Sequence, residues 1–321
     1  MLKSILITGA GGYMGKLVIE SLVSQKDFIK KIVAHDIKSV SEKERQKDVV
    51  YVQGDIRSPN VTEIIRQHMI DTVVHLVSVV SPIGRSNPKL EYEIDVLGTE
   101  NILKASVENK VQHFIITSSG AAYGYYEDNP DWLTENDAIR GNKIFPYAYH
   151  KKLIEEMLLS YRNQFPELKQ LVLRPGTILG ETTNNQITNL FNKRFLLGIS
   201  GYEIPFVFVW DRDVADIIRK GIREEISGIY NIAGDGYCTM RQLAKKLNKL
   251  YICIPSKLLE IFLFVLNKTG LSLYDANQIV FLKYRPVLSN KKLKGEFGYI
   301  PTYNSEEVFD FFLHHNLFFK K

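Results

Sequence analysis

An apolar run near the N-terminus, Leu2–Ile7, leads directly into Thr8-Gly9-Ala10-Gly11-Gly12-Tyr13-Met14-Gly15, and no other stretch restricts the fold so strongly. Gly9, Gly12 and Gly15 stand three apart where a helical pattern over Tyr13–Val23 begins. A strand that ends in such a turn and feeds a helix gathers backbone N–H groups and the positive end of a helix dipole at one point, which suits a pyrophosphate. Glycine permits the tight turn at 9, close approach of the phosphates at 12, and helix-on-strand packing at 15. Gly9, Gly12, Tyr13, Met14 and Gly15 are therefore candidate dinucleotide contacts.

The rest of the first half repeats the strand–helix alternation. Val- and Ile-rich runs at Lys31–Asp36, Val49–Gln53, Thr72–Val77 and Phe114–Thr117 alternate with three- and four-residue apolar spacing at Val61–Met69 and Glu91–Glu108. A long helix is expected over Tyr147–Tyr161 and a strand at Leu171–Leu173. This pattern predicts right-handed crossovers and an α/β fold with a Rossmann-type doubly wound parallel sheet, covered on both faces. After Arg174-Pro175-Gly176 the pattern loosens into polar and aromatic stretches with short helices at Asp213–Glu224 and Thr239–Leu250, which predicts a smaller C-terminal α/β substrate lobe. The expected division is 1–175 for the dinucleotide-binding domain and 176–321 mainly for the substrate lobe, with some segments returning to the sheet.

Composition narrows the classes further. An apolar content of 45% supports a large core and rules out a disordered chain. The net charge of +5 is scattered in pairs such as Lys30-Lys31 and Lys291-Lys292, giving no basic stripe for a nucleic acid. Two cysteines make neither a disulfide framework nor a four-ligand zinc site, and His314-His315 has no ligand cluster beside it. The first residues read straight into a strand, without the pattern of a signal peptide. Leu258–Leu266, interrupted by Glu260, is far short of the roughly 20 residues of a membrane span, so it is expected to be lobe core and the protein cytoplasmic.

Two further features carry chemistry. The second strand ends at Asp36, where a carboxylate accepts hydrogen bonds from an adenosine ribose and repels a 2′-phosphate, so NAD is the expected cofactor. Tyr147 and Lys151 stand four apart at the start of a helix and so share a face. The fifth strand ends in Thr117-Ser118-Ser119-Gly120 at the sheet edge where ligands of such folds bind. A tyrosine acts as a base only if its proton is made labile. A lysine ammonium and a nicotinamide cation nearby would lower its pKa by roughly 3 units, about 4 kcal/mol. Ser119 would orient the substrate oxygen.

With these residues in place, the chain resembles the extended short-chain dehydrogenase/reductases, in particular the NAD-dependent epimerase/dehydratase family. Besides the motifs above, the resemblance includes Gly54-Asp55-Ile56, His75-Leu76-Val77-Ser78, Asp95-Val96-Leu97-Gly98-Thr99, Ser118 to Gly124, Leu173-Arg174-Pro175, Asp213-Val214-Ala215 and Phe297 to Pro301. It implies that Asp55 and Ile56 meet the adenine, that Leu76 and Val77 line the cofactor cleft, and that Pro175 sits near the nicotinamide. It also implies that Lys151 binds the nicotinamide ribose. Helices Glu91–Glu108 and Tyr147–Tyr161 would pair in a homodimer.

Two departures matter. Dehydratases of this family carry an Asp-Glu pair where this chain has Gly120 and Ala121. Nucleotide-sugar epimerases offer an arginine where it reads Phe206-Val207-Phe208-Val209-Trp210, leaving Arg194 or Arg212 as substitutes. The expected function is a sugar epimerase acting at C4 of a nucleotide sugar by transient hydride transfer to NAD. An NAD-dependent dehydrogenase of an apolar alcohol or ketone is the alternative, and a non-catalytic dinucleotide sensor is a third reading. Tight cofactor retention separates the first two, and turnover that disappears in Tyr147→Phe excludes the third.

Overall fold

The computed structural model describes residues 2–79, 87–261 and 279–316. Six parallel strands, β1 (Lys3–Thr8), β2 (Ile29–Asp36), β3 (Val49–Gln53), β4 (Thr72–His75), β5 (His113–Thr117) and β6 (Lys169–Pro175), form one sheet with a seventh at Gly228–Ile232. The order is β3-β2-β1-β4-β5-β6 followed by the strand Gly228–Ile232, so a segment after residue 175 completes the sheet. The order reverses between β1 and β4, and a crevice for ligands opens at the carboxyl ends of such a pair.

Alternation along the strands explains the layers. Ile5 and Ile7 pack against α1 (Tyr13–Ser24), whereas Leu6 faces the opposite side with α2 (Asn60–Gln67). That second layer also holds α4 (Gly98–Glu108) and α5 (Pro146–Gln164). The chain enters α4 through α3 (Pro88–Tyr92) and one π-helical turn over Glu93–Leu97. After α6 (Gln186–Phe191), α7 (Asp211–Arg223) completes the first layer with Val214, Ile217, Ile218 and Ile222. A separate aromatic core (Phe191, Phe206, Phe208, Phe309 and Phe312) binds the remaining helices and short strands.

Several sequence boundaries shift for physical reasons. β4 stops at His75 because β1 and β4 diverge around the glycine turn, and Leu76 and Val77 continue along the crevice. The helix expected over Thr239–Leu250 ends at Lys246. Asn248 turns the backbone at φ 52°, and Leu250–Ile254 becomes a strand beside Phe195–Ile199. The expected helix Leu258–Leu266 is described only through 261, where Leu259 is buried but Leu258 and Ile261 are exposed; 262–266 and Phe318-Phe319 lie outside the described residues. His314 and His315 bond to backbone carbonyls, and no metal-ligand cluster exists among the described residues. Both cysteines are free. No described helix is long and apolar enough to cross a membrane.

Candidate active site

One cavity follows the crevice between β1, β2 and β4. It measures about 280 Å³ and its walls include Gly9, Gly12, Asp36, Asp55, Leu76 and Ser78. Gly9 has φ 74°, and a β-carbon there would lie 3.1 Å from the Leu76 and Val77 backbone. Asp36 is held at the rim, one oxygen accepting the Gly11 N–H at 2.9 Å and the other the Lys38 N–H at 2.9 Å. Each oxygen keeps a lone pair for a ribose hydroxyl. Asp55 is clamped by Arg57 at 2.6 Å, which holds its carboxyl below the usual range, and Ile56 packs beside Gly98. The Ser78 hydroxyl is buried in this wall with no partner among the described residues, so a bound ligand would satisfy it. Glycine cradle, fixed carboxylate and orphan hydroxyl fit the adenosine half of NAD.

The side chains of Tyr13 and Met14 do not line that cavity. Met14 packs against the core, and the Tyr13 hydroxyl turns towards the second lobe, donating to Asp211 and accepting from Thr183 at 2.9 Å. Gly15 explains itself by contact: a β-carbon there would overlap the Gly9 carbonyl oxygen and lie 2.6 Å from the Ala10 Cα. Neither neighbour is a movable side-chain end. Gly15→Ala is therefore expected to weaken NAD binding by about tenfold to a hundredfold, the equivalent of the ~1–3 kcal/mol of overpacking. Titration calorimetry checks this, and an unchanged dissociation constant contradicts it.

The second cavity, about 320 Å³, opens where β5 and β6 end. Ser119, Tyr147, Pro175, Thr177, Arg285 and Leu288 are among its walls. Pro146 sets the first turn of α5, where its missing N–H is no loss, and thereby places Tyr147 at the cavity. One turn later Lys151 is buried, its Nζ 3.0 Å from the Thr117 carbonyl oxygen and 5.7 Å from the Tyr147 ring centre. Burial lowers the Lys151 pKa while Asp95 and Glu155 oppose that change. The structure thus brings Ser119, Tyr147, Lys151 and Pro175 together.

Within the protein alone the Tyr147 hydroxyl is pushed up to about 12, chiefly by burial; the Ser119 hydroxyl draws it down, and Tyr125 and Asp95 push it further up.

Sequence reasoning missed Arg285. Of the proposed substitutes, Arg194 is exposed and Arg212 pairs with Glu20 at 2.8 Å on the surface; neither lines the cavity. Arg285 instead reaches in from the C-terminal segment, its guanidinium 4.1 Å from the ring centre of Phe206, the stretch where the arginine was missing. Among the described residues it makes no ion pair, and burial lowers its pKa. The only sequence signal was an arginine before Pro286, which no local pattern distinguishes. Tyr125 and Phe145 form a T-shaped aromatic pair in the same wall, 5.7 Å between centres. Gly120 and Ala121 also line it and offer no carboxylate.

Comparison with known proteins identifies the family and the fold. Residues 5–233 match the model of the NAD dependent epimerase/dehydratase family. An uncharacterized protein of Mycobacterium tuberculosis is 22% identical over 314 residues, covering 96% of this chain and 82% of that protein. The N-acetyl-alpha-D-glucosaminyl-diphospho-ditrans,octacis-undecaprenol 4-epimerase of Escherichia coli O157:H7 is 25% identical over 308 residues, covering 88% of this chain and 86% of its own length. The crystal structure of Thermotoga maritima UDP-glucose 4-epimerase with UDP-glucose superposes with a TM-score of 0.75 at 20% identity, covering 97% of this chain and 98% of that one. With its glycine turn, acidic β2 terminus and parallel sheet, the chain belongs to the NAD-dependent epimerase/dehydratase family and is an NAD-dependent enzyme of the extended short-chain dehydrogenase/reductase type.

Proposed function

We propose that this protein is a nucleotide-sugar 4-epimerase, with Tyr147 as the base, Lys151 as its electrostatic partner and Ser119 as the orienting donor. Bound NAD supplies the hydride acceptor and a positive ring. The protein's residues do the rest: Tyr147 takes the proton of the C4 hydroxyl while Ser119 holds that oxygen, and the same groups reverse their roles when the ketone is reduced from its other face. Gly9, Gly12, Asp36, Asp55, Ile56, Leu76 and Val77 hold the cofactor, together with the backbone of Tyr13, Met14 and Gly15, and Pro175 borders the reacting ring. Residues 1–175 supply most of that site and 176–321 most of the substrate's.

The observation that carries the substrate class is Arg285. A half-buried guanidinium with no carboxylate partner among the described residues, in the cavity that holds Ser119 and Tyr147, favours an anionic group on the substrate, and its planar fork suits a diphosphate. Gly120 and Ala121 argue against elimination of water, which needs an acid and a base there. Arg285→Ala is expected to raise KM for UDP-glucose or UDP-N-acetylglucosamine about tenfold to a hundredfold, since charge-assisted hydrogen bonds contribute ~1.5–3 kcal/mol. Steady-state assay of the C4 epimer checks it; an unchanged KM removes the diphosphate from this reading.

A second reading is favoured by the Escherichia coli relative: a sugar diphosphate carried on a polyprenol. Both substrates present the same charge to Arg285, so UDP-N-acetylglucosamine and N-acetylglucosaminyl-diphospho-undecaprenol should be assayed side by side. Exposed Leu90 and Leu97 on the α3–α4 segment and Leu159 on α5 support the homodimer expected from these helices, which sedimentation would detect.

A further inference from the structure

Of the buried ionisable groups near the catalytic pair that the mechanism above does not use, Glu155 is tied to Arg174 and His75 to the Thr8 and Thr99 hydroxyls, whereas Asp95 and His150 are bonded to each other. Asp95 lies in the π-helical turn, and His150 immediately precedes Lys151 on α5. Both are almost completely buried and neither lines the substrate cavity. One Asp95 oxygen accepts the Val79 N–H at 2.7 Å, just beyond the cofactor-cleft residue Ser78. The other lies 3.1 Å from His150 Nδ1. A carboxylate only accepts, so the imidazole donates. The extra residue of the π-turn widens the helix where α3 and α4 meet α5, and the Thr99 hydroxyl braces it by donating to the Asp95 carbonyl at 2.5 Å.

We propose that Asp95 and His150 are a positioning pair for the active site. The Asp95 carboxylate opposes the effect of Lys151 on Tyr147, and His150, by binding that carboxylate, sets how much of its charge reaches them. The proposal rests on the reading of Tyr147 as the base. An asparagine in place of Asp95 would keep the Val79 contact and carry no charge, so the carboxylate adds an electrostatic control. Other charged or titratable groups facing the pair are few. Tyr92 presents its ring edge to His150 with centres 5.8 Å apart, and Lys151 and Glu155 follow on α5, Glu155 being bonded to Arg174 of β6. Tyr147 also faces Tyr125 and Ser119. Burial is the largest influence on Lys151, and Asp95 is the first charge that opposes it.

The test reads the Tyr147 hydroxyl directly, independent of turnover. Protein carrying 13Cζ-tyrosine is titrated with NAD+ present, and Tyr147→Phe identifies the signal. Asp95→Asn is expected to lower the Tyr147 midpoint by about one pH unit, and His150→Gln to raise it by about half a unit. In the Asp95→Asn background, His150→Gln should shift it by less than about 0.2 unit, because the imidazole acts through the carboxylate. Equal His150 effects in both backgrounds, or no Asp95 effect, overturn the proposal. Should either variant fail to fold, Asp95→Ser and His150→Asn are read in the same way, and no shift of the Tyr147 midpoint in either overturns the proposal. If Tyr147 responds as stated and Tyr147→Phe remains active, the base assignment fails and the electrostatic pair stands.

Discussion

Tyr147→Phe is expected to slow C4 epimerisation by about 10³-fold while leaving the NAD+ dissociation constant within about twofold. General acid–base groups contribute ~10²–10⁴ in rate, and the substitution deletes the one hydroxyl at the cavity that faces Ser119 with Lys151 one turn away. The ring and its packing with Phe145 remain, so loss of fold does not explain the loss of rate. The pH dependence follows in sign. A base works in its deprotonated form, and burial is the largest of the influences that together push this one up to about 12. The rate should therefore rise about tenfold per pH unit across the acid limb, and that slope should vanish in Tyr147→Phe. Activity within tenfold of the unmodified enzyme contradicts the assignment.

Glu155→Ala is expected to destabilise the protein by about 3–5 kcal/mol, the range for removing one partner of a buried ion pair. Arg174 on β6 binds Glu155 through Nε and Nη2, at 3.0 and 2.6 Å for the closest contacts, and both side chains are nearly inaccessible. The same guanidinium donates to the Tyr123 hydroxyl at 2.8 Å, which donates to Asn231 at 2.8 Å in the last strand of the sheet. Ser118 donates to Glu155 at 2.6 Å, next to Ser119. Removing the carboxylate leaves a buried cation uncompensated and loosens the join between the catalytic helix and the strand end that carries Ser119. Thermal unfolding should show a fall of about 5–10 °C, with NAD+ still binding to the folded fraction. A melting point within 1 °C of the unmodified protein contradicts this account. Glu155→Gln, which retains the shape, should fall between the two.

What was legible in the sequence is what rests on local geometry. The glycine spacing, the acidic end of β2 and the four-residue step from Tyr147 to Lys151 all express short-range rules; the structure places the glycines and Asp36 along one cavity and Tyr147 at a second, with Lys151 buried one turn behind it. Alternation between strand and helix periods predicted the parallel sheet because the central strands β1, β4 and β5 are buried on both faces. Features assembled from distant segments were not legible. Arg285 reaches Phe206 from a part of the chain with no strong pattern, and the strand Leu250–Ile254 exists because Phe195–Ile199 lies beside it. The π-helical turn that sets Asp95 against His150 has no periodic signature, since its residues continue an ordinary amphipathic pattern. Burial, which a sequence does not display, is the largest influence on the Tyr147 hydroxyl within the protein alone.

In the proposed epimerisation a hydride leaves C4 and returns to the same carbon without leaving the enzyme. UDP-glucose and UDP-N-acetylglucosamine deuterated at C4 test it directly, with mass spectrometry of the product and absorbance at 340 nm. The account predicts a C4 epimer that retains its deuterium, with no accumulation of free NADH. Deuterium released into free NADH, or a 4-keto product in place of the epimer, would contradict it and identify a net dehydrogenase.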